Sequence, residues 1–262
     1  MRPWLERLAD PPHASLSELN ALAEERSITV LCGAPVRFVA PSTARAGYGA
    51  YERRVFDTGC VETRQENLHD VFNALAWLAF PRTKAALNAR HVDALPREGH
   101  RRGSLRDLLT LLDEGGALVG RADDLAAELV QRRDWRTLFL DRRQHAEQLE
   151  VSVLGHAVLE QALAPWPGIT CKALFLPPGP PDEQAAKWIM ALPPDAAPRD
   201  LPALPVFGLP GWWPVQDEAF YGDFRYFRPA PGPTAKMPSG SRPGSRYGDI
   251  EESPGSAERD AG

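Results

Sequence analysis

Two stretches of this chain set histidine and carboxylate side chains at helical spacing among large apolar residues. The first reads Glu66-Asn-Leu-His-Asp-Val-Phe-Asn-Ala-Leu-Ala-Trp-Leu-Ala-Phe80. At ~100° per residue, Leu68, Val71, Phe72, Leu75 and Leu78 gather on one face. The opposite face carries Glu66, His69, Asp70, Asn73, Trp77 and Phe80. A solvated face seldom mixes Trp and Phe with His and Asn, so the spacing predicts a helix covered on both sides. Its polar residues must then find hydrogen-bond partners or line a wet cavity. In the second stretch, His156 and Glu160 lie four residues apart within 148–163, with Leu149, Val153, Leu159 and Leu163 around them. An i, i+4 pair in such surroundings can share a metal ion, or act as a base with its orienting carboxylate. It can equally be a buried hydrogen-bonded couple.

The candidate catalytic residues are therefore His69, Asp70, Asn73, His156 and Glu160. Burying two imidazoles and two carboxylates separately costs several kcal/mol in desolvation, so the two stretches are expected to meet around one cavity. Candidate binding residues follow on the next helix, where Lys84, Asn88 and His91 form one stripe. Trp212 and Tyr221, in an aromatic C-terminal stretch, complete that set. A divalent metal is the one cofactor these side chains suggest. The glycine-rich fingerprints of dinucleotide and phosphate-loop proteins are missing, as is the Gly-x-Ser-x-Gly elbow of serine hydrolases. The tandem His69-Asp70 does not make a His-Asp phosphohydrolase, because the one upstream histidine, His13, sits in a Pro-rich opening. Nor does a histidine end the β-rich runs before Asn67, Asn73 and His91, as a ββα-metal nuclease would need.

Charge narrows the partners. The 262 residues include 30 Lys or Arg against 35 Asp or Glu, a net charge of −5. That disfavours a global polyanion binder. Residues 82–106 form a local exception, with seven Lys or Arg against Asp93 and Glu98. A phosphate or nucleic-acid contact there is the sharper reading, and a solvated loop the plainer one. No apolar run approaches the ~20 residues of a membrane helix. The N-terminus lacks the apolar core of a secretory signal, and three scattered cysteines suit a reducing cytoplasm.

The elements that must position these groups read as α+β. Hydrophobic residues make up 43% of the chain and charged residues 25%, within the globular range. Ser15 and Glu18 are spaced as a capping box, opening a helix to about Arg26. Residues 36–39 and 51–57 are β-rich runs. Helices are expected over 66–80, with Pro81 ending or kinking the first, and over 83–92. Residues 108–119 resemble two short strands around a glycine turn. Shorter helices follow at 124–132 and 135–140, and a longer one at 148–163. Residues 165–214 are Pro-rich yet keep their hydrophobes, which predicts an ordered wrap. From 229 to 262 half the residues are Pro, Gly or Ser. The expectation is one globular α+β domain over 1–228, helices with a few short strands, and a disordered tail over 229–262.

Four segments together carry a family resemblance. They are 66–88, Thr110-Leu-Leu-Asp-Glu-Gly-Gly116, Gly155-His-Ala-Val-Leu-Glu160, and Leu204-Pro-Val-Phe-Gly-Leu-Pro-Gly-Trp-Trp213 with Phe220-Tyr221 and Phe227-Arg228. In this order they resemble the bacterial domain of unknown function 3025 family over roughly residues 35–228. One departure is Val215-Gln216, standing where the pattern has an asparagine after the Trp pair. The resemblance implies no activity. From the residues themselves, the leading expectation is a non-catalytic binding module using the basic segment and the aromatic C-terminal stretch. The alternative is a metal-assisted hydrolase with a buried His/Asp/Glu site.

Overall fold

Residues 2–10, 13–42, 47–98 and 101–230 are described in a computed structural model of the chain. The tail expected over 229–262 lies, beyond Ala230, outside the described residues. The elements run α1 (Arg2–Leu5), α2 (Leu16–Glu25), β1 (Arg37–Val39), α3 (Ala50–Thr58), β2 (Cys60–Glu62), α4 (Leu68–Ala79), α5 (Pro81–Glu98), α6 (Ser104–Gly115) and β3 (Gly116–Gly120). They continue as α7 (Asp124–Arg132), α8 (Arg143–Glu147), β4 (Glu150–Val153), α9 (His156–Gln161), β5 (Thr170–Phe175), α10 (Pro181–Met190), β6 (Ala203–Pro205) and α11 (Glu218–Tyr221). The architecture is α+β.

A four-stranded sheet in the order β4-β3-β5-β6 forms the middle layer. Its central pair, β3 and β5, is parallel, and the outer pairs are antiparallel. Side chains alternate along β3. Ala117 and Val119 pack with α7, Phe139 and Phe227, while Leu118 packs with Leu108, Leu109 and Leu112 of α6 and with Ile189 of α10. Both faces are thus covered, which is why β3 reads as a continuous apolar run rather than an alternating one. A separate N-terminal core joins α2, the two-stranded β1–β2 pair and the apolar face of α4.

The capping box at Ser15 and Glu18 forms as expected, with the Ser15 amide donating to Glu18 Oε2 at 2.9 Å. On α4, Asn67 caps the N-terminus by accepting from the Asp70 amide at 3.0 Å. Trp77 is only 3% exposed, so this helix is covered on its second face too. Pro81 does more than end α4. It opens α5, where its missing N–H costs nothing, and the helix continues beyond 92 to Glu98. The Asp182 carboxylate accepts from the Thr83 amide at 2.8 Å, pinning that start to α10.

Three expectations are corrected. The β-rich run 51–57 is helical, closed at each end by a left-handed glycine (Gly49 and Gly59), and only Val55 is buried on it. Residues 108–119 are the end of α6 followed directly by β3, with no hairpin, because the Leu105, Leu108, Leu109, Leu112 stripe packs at helical period. Residues 148–163 divide into β4 and α9, since Val151 and Val153 pair with β3. Gly155 permits that break. A Cβ there would lie 2.6 Å from the Glu114 carbonyl oxygen, so only glycine lets α9 start against the α6–β3 junction.

Candidate functional site

A polar cavity of about 420 Å³ opens between α3, α4, α5, α6 and the start of α9. His69, Asp70, Asn73 and Trp77 reach it from α4, and Lys84, Asn88 and His91 from α5. Thr110, Asp113 and Glu114 come from α6, and His156 from α9. Seven of the ten candidate residues therefore line one space, and an eighth, Glu160, bonds to one of them.

The two histidines face each other. His69 Nε2 stands 3.1 Å from His156 Nε2, with the ring planes inclined at 73°. Behind His69, Nδ1 is 3.0 Å from Glu160 Oε2. Behind His156, Nδ1 has no hydrogen-bond partner among the described residues, and Asp113 Oδ1 lies 4.0 Å away. The Glu160 carboxylate only accepts, so the His69 proton sits on Nδ1 and its Nε2 is a bare acceptor. The 3.1 Å approach is then a hydrogen bond when His156 carries its proton on Nε2, with both rings neutral and one proton between them. Burial is the main reason the His156 pKa falls to about 4, with the charges of Lys84 and His69 adding to the effect and Asp113 opposing it.

The remaining groups hold one another. Lys84 Nζ donates to Asp113 and, at 2.7 Å, to Asn73 Oδ1. Burial pushes the Asp113 carboxyl up, but Lys84 and His156 outweigh it, and its pKa lies below the ordinary value. Asp70 is taken by Arg64, whose amide and Nε donate to Oδ2 at 2.7 and 2.9 Å while Nη2 reaches Oδ1 at 2.9 Å. At the other end, Arg106 Nε donates to His91 Nδ1 at 3.2 Å, which leaves the His91 proton on Nε2. Burial, and then the Arg106 charge, bring the His91 pKa down to about 4. Asn88 donates to the Glu52 carbonyl at 2.8 Å, while its own Oδ1 is buried and unpaired. Tyr51 is 44% exposed yet ringed by protein; this enclosure, and then Asp113, Asp70, Glu52 and Glu62, push its hydroxyl pKa up, so it stays a donor.

A shared metal ion is not what the donors favour. A zinc-type site takes three or four protein ligands. Among the described residues, no group of three His, Cys, Asp or Glu could hold an ion. Glu160 is on the far nitrogen of His69, and Asp113 is engaged by Lys84.

Two expected binding residues lie elsewhere. Tyr221 is buried against Phe139 and Phe227, with Oη donating to the Gly208 carbonyl at 3.0 Å. Trp212 is 40% exposed and lines a different pocket from the histidines, and Trp213 stacks on Phe220 and packs at a tilt against Phe207. Gln216, at the departure from the family pattern, ties the loop by donating to the carbonyls of Phe207 and Leu209 at 2.7 Å each. The basic segment is not an open cationic surface either. Lys84 pairs with Asp113, Arg90 with Asp93, and Arg106, 3% exposed, with Glu52 and Glu98.

Residues 36–231 match the family described as Protein of unknown function (DUF3025). The chain belongs to that family. No curated protein and no solved structure matches it. Three of the four segments that carry the resemblance, 66–88, 110–116 and 155–160, converge on the histidine cavity. The fourth builds the aromatic cluster of Phe207, Trp213, Phe220 and Tyr221. Sequence reasoning passed over Asp113, because the DUF3025 segment 110–116 reads as a turn. Its signal was the i, i+3, i+4 spacing of Thr110, Asp113 and Glu114 beside a leucine stripe.

Proposed function

We propose that this DUF3025 protein is a hydrolase whose acid–base chemistry is done by His69 and His156 on a small polar substrate in the cavity. The observation that carries the reading is the facing Nε2 pair, each ring with a carboxylate behind its other nitrogen. Such a pair holds one movable proton at a fixed place. With the proton absent, an Nε2 lone pair can take a proton from water; with it present, the same nitrogen can give one to a leaving group. Hydrolysis is a reaction class that these groups and water can carry without a further reagent. Glu160 orients His69, and the Lys84–Asp113 pair sets the charge next to His156. Lys84 and Arg64, each already paired with a carboxylate, place N–H donors in the cavity for an oxygen of the substrate. The buried, unpaired Asn88 Oδ1 and His156 Nδ1 add support, since a closed structural network would leave neither unsatisfied. A bacterial, cytoplasmic setting goes with this reading; the free thiols Cys32, Cys60 and Cys171 suit a reducing compartment, and no described helix is long and apolar enough to cross a membrane.

The test is hydrolysis of p-nitrophenyl acetate, p-nitrophenyl phosphate and bis-p-nitrophenyl phosphate by the full chain, in EDTA and with added Zn²⁺ or Mn²⁺. Turnover of at least one ester in EDTA is expected, falling on the order of 10²-fold in His156→Ala and in His69→Ala. Turnover that appears only with added metal would restore the metal-assisted alternative. No turnover, together with a melting temperature raised by a small ligand, would make the cavity a binding site without catalysis.

A further inference from the structure

We infer a second binding site, for a nucleotide, in the surface pocket where the end of α7 meets the 166–168 turn and the 223–228 segment. Arg133 and Arg228 hold the phosphate and Trp166 stacks on the base. The pocket, of about 490 Å³, shares no lining residue with the histidine cavity, so the inference does not rest on the proposed hydrolase.

The electrostatic argument comes from what the arginines lack. Elsewhere on this acidic chain most cations of the 82–106 segment are matched by carboxylates. In the pocket, Arg225 is matched too, with Nε and Nη2 donating to Asp223 at 3.0 and 3.2 Å. Arg133 and Arg228 meet no carboxylate among the described residues. Arg228 is exposed and its Nε donates to the Arg225 carbonyl at 3.0 Å, while its terminal nitrogens have no hydrogen bond among the described residues. Near Arg133, Lys172 Nζ donates to the carbonyls of Pro198 and Leu201, at 3.2 and 3.0 Å, and meets no carboxylate among the described residues. Burial and then the Arg133 charge lower its pKa, so Arg133 adds to an uncompensated positive field. Planar guanidinium groups with free N–H donors fit phosphate oxygens two at a time.

The backbone presents these groups in fixed positions. Arg133 ends α7 in the left-handed region (φ 54°, ψ 37°), where glycine is the usual residue. Trp135 Nε1 donates to the Arg228 carbonyl at 2.9 Å, which anchors the second arginine. Trp166 is 55% exposed, although large apolar side chains usually hide. Its indole abuts Gly168, where a Cβ would sit 1.6 Å from Cζ3, so only glycine leaves room for the ring there. A half-exposed indole held against backbone can serve as a base-stacking platform. An anion site alone needs no such ring, and an aromatic patch alone needs no unmatched arginines. Together they fit a phosphate carried beside an aromatic base, either a free nucleotide or a unit of single-stranded nucleic acid.

The test is fluorescence anisotropy of a short labelled oligothymidylate with the full chain at low salt, competed by AMP and by inorganic phosphate. Saturable binding is expected, weakened about fivefold or more by Trp166→Ala and by the Arg133→Ala/Arg228→Ala double variant, and retained in Trp166→Phe. The slope of log affinity against log salt should become shallower by about 1 per arginine removed. Arg82→Ala, outside the pocket, should bind as the parent does. Displacement by AMP identifies a free nucleotide as sufficient, whereas binding that AMP leaves intact identifies a single strand. The inference is overturned by absence of saturable binding to both probes, or by affinities within about twofold of the parent in the pocket variants. It is also overturned if inorganic phosphate competes as well as AMP and Trp166→Ala changes nothing.

Discussion

The Nε2 atoms of His69 and His156 stand 3.1 Å apart although 87 residues of sequence separate them. Each ring turns its second nitrogen to a carboxylate from a different position, Glu160 within α9 and Asp113 on α6. The pair is thus held by three helices at once, and changes in any of them should register at His156.

Lys84 and Asp113 make the clearest case. Lys84 is 4% exposed and Asp113 is its carboxylate partner. Lys84→Met should destabilise by about 3–5 kcal/mol because it leaves a carboxylate uncompensated, and Lys84→Met/Asp113→Leu should recover much of the loss. The single variant should also raise the His156 pKa, since the Lys84 charge lowers it and Asp113 raises it. Urea denaturation and imidazole NMR titration read the two effects. A single variant as stable as the parent, or a His156 pKa that stays or falls, would contradict the arrangement.

Stability should fall on acidification through the buried histidines. His91 and His156, 8% and 5% exposed, both titrate at about 4 in the folded protein against an ordinary 6.5. Between those values the unfolded chain binds the protons and the native one does not, so stability rises with pH. Above about 6.5 the contribution is complete; it is lost as pH drops toward 4, on the order of 3 kcal/mol per ring. His156→Gln cannot titrate and should show a shallower acid loss. Denaturation midpoints that stay level from near pH 7 to near pH 4.5 would refute the buried neutral state.

Gly155 fixes where α9 begins. Gly155→Ala would put a Cβ 2.6 Å from the Glu114 carbonyl oxygen and 2.7 Å from the Gly116 amide, both backbone atoms. Neither can swing aside, so α9 must shift and carry His156 with it. The expected result is a loss of about 1–3 kcal/mol, as for overpacking, with any hydrolytic activity reduced along with it. Unchanged melting would show that the junction yields.

Trp77 ties the second face of α4 to the cavity wall, with Lys84 Nζ lying 5.7 Å from the ring centroid. At 3% exposure, Trp77→Ala should cost about 3–5 kcal/mol in chemical denaturation. A near-neutral substitution would place the ring in solvent and remove the wall.

Much of this site was legible in the residues alone. The doubly covered α4 followed from Trp77 and Phe80 beside His69 and Asn73, because side-chain chemistry at helical period reports burial wherever an apolar face has to be hidden. The stripe Lys84, Asn88, His91 and the pair His156, Glu160 were likewise set by spacing on one helix. Spacing could not say what each polar group meets. Asp70 reads as chemistry but is consumed by Arg64, and Tyr221 reads as a contact but is sealed against Phe139. Asp113 reads as a turn but completes the charge set around His156. The strand-like run 51–57 became a helix and the helix-like run 148–163 became β4 and α9, because short elements take the conformation their neighbours leave open to them. Local sequence thus determined which side chains share a face, through the period of the backbone. Only the tertiary structure decided which faces meet, because those contacts join residues tens of positions apart and depend on close approaches, such as that of Gly155 to the α6–β3 junction, that no local pattern encodes.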